Sequence, residues 1–192
     1  MPNPSKTFLY KNVKSFLKSI NPEKTLDLGC GDLFIFESIK TDNYTGVDYN
    51  KEKLERAKKR YPTANLINSN FENFQSSYKY DLIVCLETDS INKVKNSKES
   101  IQTVKRFLNF SCSGGIVILN FWSDFFLKNE KDLKEMFRKE KFLTQKELTY
   151  GFLNLNLPNL FWRIAHTLMP LMNFFSFILK KKNKLFILKK NP

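Results

Sequence analysis

Asp27, Gly29 and Gly31 close an apolar run in a tight turn, Thr-Leu-Asp-Leu-Gly-Cys-Gly over residues 25–31. Glycines on both sides of Cys30 let a ligand approach bare backbone, because glycine has no Cβ and tolerates positive φ. The apolar residues that follow, Leu33, Ile35, Phe36 and Ile39, predict a helix whose first N–H groups point at whatever occupies the turn. This is the chemistry of a phosphate- or cofactor-binding turn. A dinucleotide fingerprint needs Gly-x-Gly-x-x-Gly, and Phe34 stands where the third glycine would be. The dinucleotide reading therefore fails.

A second acid strengthens the cofactor reading. Asn43–Val47 reads as a strand that ends in Asp48, 21 residues after Asp27. A carboxylate about 20 residues beyond such a turn can accept both hydroxyls of a ribose. Asp48 could instead cap the helix that begins near Asn50. Spacing, with one helix between the two acids, favours the ribose.

The pattern Asp27-x-Gly29-x-Gly31 with Asp48 downstream resembles the class I S-adenosylmethionine (SAM) dependent methyltransferases, in particular small-molecule enzymes of the methyltransferase 11/12 kind. Two further strand ends extend the likeness. Asn65–Asn68 leads into Ser69-Asn70-Phe71, where the resemblance implies a polar group reading the adenine amino group and an apolar one against the ring. Asn70 replaces the usual Asp but keeps an accepting oxygen, and Phe71 reads equally as core. Tyr80–Leu86 leads into Glu87, matching the Cys-Leu-Glu of the family, with Glu87 implied at the methionine end. Ser90 and Ile91 stand where the family has a Glu-His pair, so the substrate half is open. The resemblance thus implies SAM as cofactor, no metal, and a cofactor site of Asp27, Gly29, Cys30, Gly31, Asp48, Tyr49, Asn70, Phe71 and Glu87.

Transfer of an activated methyl needs mainly orientation of the two partners. An oxygen or nitrogen nucleophile can also need a base, for which Asp89 and then His166, the single histidine, are the candidates. A lone histidine on the polar side of a helix is more often simply solvated.

The elements around these residues suit an open α/β sheet. An amphipathic helix through Leu9, Val13, Phe16, Leu17 and Ile20 precedes a strand at residues 24–28. Residues 51–60 form a charged helix and 96–108 another. Ser113-Gly114-Gly115 is expected to turn into a strand at 116–121, followed by a helix at 130–139 and strands near 144–152 and 184–189. Alternating strands and helices predict a single domain over residues 1–192: a Rossmann-like, seven-stranded, mostly parallel sheet with helices on both faces and an antiparallel last strand. Ligands bind such sheets beyond the carboxyl ends of the strands.

Residues 157–181 form an apolar helical insertion before that last strand. Arg163, His166 and Pro170 interrupt it too often for a membrane span, and it reads as amphipathic. Packing on the domain or a dimer contact is the plainer expectation, with a lid over an apolar acceptor or peripheral membrane contact as the sharper ones.

Composition narrows the class. The 192 residues are 42% hydrophobic and 15% aromatic, which excludes disorder. Cys30, Cys85 and Cys112 lack metal-ligand spacing and fit a reducing, cytoplasmic setting. The net charge of +13 would suit nucleic acid, yet only five of the 32 basic residues are arginine, as in a Lys- and Asn-rich composition generally. Three functions remain: methylation of a small, apolar or lipid-linked acceptor, RNA methylation, and a non-catalytic interaction or membrane-docking module.

Overall fold

The structure is a computed structural model describing residues 4–70, 73–93, 97–150 and 183–192. Helix α1 (Pro4–Leu17) leads into β1 (Lys24–Leu28), a short 3-10 turn (Phe36–Ser38), β2 (Asn43–Asp48), α2 (Lys51–Arg60) and β3 (Asn65–Asn68). Then come β4 (Tyr80–Cys85), the single turn α3 (Asp89–Asn92), α4 (Ser97–Asn109), β5 (Ser111–Phe121), α5 (Ser123–Lys139), β6 (Phe142–Tyr150) and β7 (Asn183–Lys190). The strands make one sheet in the order β3-β2-β1-β4-β5-β7-β6. Pairing is parallel from β3 to β5, whereas β7 runs antiparallel to both β5 and β6. The expected seven-stranded, mostly parallel sheet is borne out.

Period-two alternation builds a core on each face of the sheet. Leu26, Leu28, Ile83, Cys85, Val117 and Leu119 pack with α4 and α5 through Val104, Phe107, Phe126 and Phe137. Their neighbours Leu82, Val84, Ile118, Leu185 and Ile187 face the other way, onto Leu9, Val13 and Leu17 of α1. Those three lie one helical turn apart and are wholly buried, so α1 docks by a single apolar stripe. On α2, Leu54 and Ala57 pack near Tyr44 and Leu66 of the sheet. Asn50 caps α2, its side chain accepting from the Lys53 N–H at 3.0 Å, and Lys58, Lys59 and Arg60 complement the dipole at the other end.

Two local expectations are corrected. No α-helix follows β1: Leu33, Phe36, Ser38 and Ile39 donate their N–H groups three residues back, giving consecutive turns and the 3-10 segment. Gly31 at φ 50° and Leu33 at φ 61° interrupt the α conformation, so the i to i−4 ladder cannot start. Likewise Ser113-Gly114-Gly115 lies inside β5, as a bulge. The β4 pairing steps from Tyr80 opposite Ser111 to Leu82 opposite Ile116, and Gly114 at φ 74° absorbs the extra residues. Helix α5 and strands β6 and β7 begin earlier than expected. The insertion at 157–181 lies outside the described residues.

The sheet order reverses beside β1, which has β2 on one side and β4 on the other. That is where a doubly wound sheet opens a crevice. Gly46 is what lets the turn after β1 settle against β2. A Cβ there would come within 2.9 Å of Cys30 Sγ and Leu66 Cδ2 and 3.0 Å of Tyr44 Cε1. Gly46→Ala is expected to lower stability by about 1 to 3 kcal/mol through overpacking, measured as a lower urea midpoint; unchanged stability would show that Cys30 moves aside freely.

Candidate active site

Gly29 and Cys30 both direct their N–H groups to the Val47 carbonyl, at 2.7 and 3.2 Å, so the turn after β1 is sewn to the end of β2. Asp48 completes the seam. Its Oδ2 accepts the Gly31 N–H at 2.9 Å and its Oδ1 the Asn50 N–H at 2.8 Å. The turn's N–H groups are thus not offered to a ligand as expected; they are spent on β2, and glycine's contribution is close approach and positive φ at Gly29 (78°) and Gly31 (50°). Asp48 is not the cap of α2, a role that Asn50 takes. An ionised carboxylate has about four accepting lone pairs, so two remain for ligand hydroxyls.

A cleft of about 320 Å³ opens above these turns, lined by Gly29, Asp48, Tyr49, Glu87 and Asp89. Lys6 of α1, Lys53 of α2, Thr88, Ser90, Lys93 and Trp122, just after β5, complete its walls. An adjoining crevice is lined by Asp27, Gly29 and Cys30 and by Tyr10 of α1 and Phe34, whose rings meet at a tilt with centroids 5.5 Å apart. Five of the expected site residues therefore share one cleft, and Asp27 and Cys30 lie beside it. Tyr49 is largely exposed. Asn70 lies outside the lining of both cavities; it is exposed, and its carbonyl takes the N–H groups of Asn73 and Phe74. Phe71 and His166 lie outside the described residues. Asp89 opens α3 and pairs with Lys93 at 2.9 Å. Among the described residues no cluster of His, Cys, Asp and Glu could hold a metal ion, and no helix is long and apolar enough to cross a membrane.

Residues 21–173 match the family described as "Methyltransferase domain". The chain belongs to that family. No curated protein matches it in sequence. Its fold is similar to the N-methyltransferase NodS of Bradyrhizobium japonicum with bound S-adenosylhomocysteine (SAH), at a TM-score of 0.70 and 13% identity, over 99% of this chain and 89% of that one. It is similar to the magnesium protoporphyrin IX methyltransferase of Synechocystis PCC 6803 with bound SAM, at 0.68 and 11%, over 97% and 80%. The plantazolicin methyltransferase BpumL, in complex with a pentazolic desmethylPZN analog and SAH, aligns at 0.62 and 16%, over 99% and 86%. SAM or SAH in all three agrees with the cofactor that the motifs implied.

Within this methyltransferase domain, several site residues escaped the sequence. Asn120 and Tyr150 meet Glu87 from β5 and β6: Asn120 exchanges two hydrogen bonds of 2.6 Å with it, and the Tyr150 hydroxyl lies 3.5 Å from its Oε1. Asn120 interrupts the apolar run of β5, a signal that could have singled it out; Tyr150 carries none. Tyr44 is another. Its hydroxyl donates to Asp27 Oδ2 at 2.6 Å beneath the turn.

Burial pushes the Asp27 carboxyl up to about 7, the Tyr44 hydrogen bond opposes this, and the Asp48 charge adds to it. Burial also raises the Cys30 thiol, so it is no nucleophile. Between about pH 4 and about pH 7 the folded protein keeps a proton on Asp27 that the unfolded chain has lost. Stability is therefore expected to fall as pH rises through that window and to level above it. Asp27→Asn should flatten this slope in urea titrations at pH 4 to 8; an unaltered slope would assign it to other groups.

Proposed function

We propose that this protein transfers the methyl group of SAM to a small-molecule acceptor. The observation that carries the reading is the meeting of three carboxylates, Asp48, Glu87 and Asp89, with the glycine turn of Gly29 in one cleft at the carboxyl ends of β1, β2 and β4. The donor set fits SAM, which has vicinal ribose hydroxyls and two cationic centres. Asp48 would accept the hydroxyls, Glu87 would hold the ammonium, and Gly29 would let the ligand lie on the backbone. When bound, SAM supplies a methyl made electrophilic by the sulfonium. The chain's own task is to orient acceptor and donor and to exclude water. Asp89, on the cleft wall, is the group we assign to accept a proton from the acceptor.

Small acceptors are supported by relatives of the same fold named for magnesium protoporphyrin IX and plantazolicin. The apolar character of residues 157–179 supports an apolar or lipid-linked one. The same segment, with its following lysines, is our candidate for a lid, an oligomer contact or peripheral membrane contact. Free cysteines support a cytoplasmic setting. An RNA acceptor is less favoured, because basic residues of α2 are already paired: Lys51 with Glu55, Arg56 with Asp32 and Arg60 with Glu37.

Calorimetry with SAH tests the cofactor. Asp48→Ala should weaken binding on the order of 10- to 100-fold, since each hydrogen bond to a charged group contributes ~1.5 to 3 kcal/mol; undiminished affinity would refute the assignment. Asp89→Asn should lower kcat for transfer of labelled methyl while leaving SAH affinity intact. Transfer to RNA with a steep salt dependence would replace the small-molecule reading.

A further inference from the structure

Glu87 stands at φ 57°, in the left-handed region that residues with a Cβ seldom occupy. Such a conformation persists only where its surroundings hold it, and here a single side chain does so from both ends. Asn120 Oδ1 accepts the Glu87 N–H at 2.6 Å, while Asn120 Nδ2 donates to Glu87 Oε1 at 2.6 Å and to the Tyr150 hydroxyl at 2.8 Å. The partners dictate the amide's orientation, because an N–H needs the oxygen and a carboxylate needs the NH₂. Trp122 Nε1 donates to the same Oε1 at 3.3 Å. Oε1 is thereby occupied by protein donors. Oε2 is left beside the cleft, with Lys6 Nζ at 3.7 Å and half exposed, a weak pair that a ligand can replace. Asn120 is 1% exposed and does not line the cleft, so it can reach a ligand only through Glu87.

We infer that Asn120 is a positioning residue: by clamping the backbone and Oε1 of Glu87 it presents Oε2 as a subsite for a ligand ammonium, the α-amino group at the amino-acid end of the cofactor. The inference rests on the SAM reading above. The cleft acids Asp48, Glu87 and Asp89 are matched by Lys6, Lys53 and Lys93, so the case for a cation rests on Oε2 itself, a carboxylate oxygen met by Lys6 at 3.7 Å. Asn120 thus selects for the amino-acid end and is indifferent to the nucleoside end, which Asp48 serves.

Two ligands separate these ends: SAH, and 5′-methylthioadenosine, which keeps the nucleoside thioether and lacks the amino acid. Calorimetry on Asn120→Ala should show SAH affinity falling on the order of 10- to 100-fold, the size of a lost hydrogen bond to a charged group, with methylthioadenosine affinity within about twofold of the native value. Glu87→Gln should give the same pattern, and the double variant should lose little more than either alone. Equal loss for both ligands, or unchanged SAH affinity, overturns the inference while leaving the SAM reading standing. A native protein that binds neither ligand overturns both. Should Asn120→Ala fail to fold, Tyr150→Phe decides: it removes the acceptor behind the Asn120 amide and a weak 3.5 Å contact to Glu87 Oε1 and keeps the ring, and a smaller but still SAH-selective loss is expected. Unaltered SAH affinity in Tyr150→Phe would then overturn the inference.

Discussion

The cleft depends on one buried carboxylate that ties together elements from three strands. Asp48 receives Gly31 from the turn after β1 and Asn50 from the turn after its own strand, while its carbonyl accepts the Ser69 N–H and the Asn68 side chain from the end of β3. Each N–H bond to a carboxylate contributes ~1.5 to 3 kcal/mol, enough to offset burial of a charge at 5% exposure. The residue proposed for the ribose is therefore also part of the scaffold, and the position of the glycine turn is set by Asp48 and the Val47 carbonyl rather than by a helix behind it.

The other acids of the site follow related logic with different outcomes. Asp27 accepts from Tyr44, and burial outweighs that bond, so its carboxyl is raised to about 7 and is roughly half protonated at neutral pH. Glu87 has Asn120, Trp122 and Tyr150 on one oxygen and keeps the other for the cleft. A chain of net charge +13 thus balances its charges within the cleft, where Asp48, Glu87 and Asp89 face Lys6, Lys53 and Lys93. Surface charge and site charge answer different questions, and the basic excess says little about what binds between the strands.

Several elements were legible because their signals are local. Strands β1, β2 and β3 and helix α2 are bounded by Gly, Pro, Asn and Asp at positions where those residues stop a strand or cap a helix. The acids could be placed at strand ends from the sequence: Asp27 by its glycine turn, Asp48 by its spacing from Asp27, and Glu87 by the apolar run before it. The segment after β1 misled, because its apolar spacing suits a helix; Leu33 and Ile35 are indeed buried, but through turns that Gly31 and Leu33 impose by positive φ. Gly114-Gly115 misled likewise, since a bulge inside a strand and a turn before one use the same residues.

By itself the sequence determined the fold class and the strand ends that carry the acids, since these follow from periodicity and from motifs that act within a few residues, and through the family those motifs resemble it implied the cofactor class. Only the tertiary structure decided how those acids are served. Asn120 lies 33 residues from Glu87 and Tyr150 lies 63 away, distances over which no local pattern couples two side chains. They meet because the sheet order sets β5 beside β4 and brings β6 in through β7. Hydrogen-bond partners across a sheet are fixed by register and burial, and both arise only when the strands have assembled.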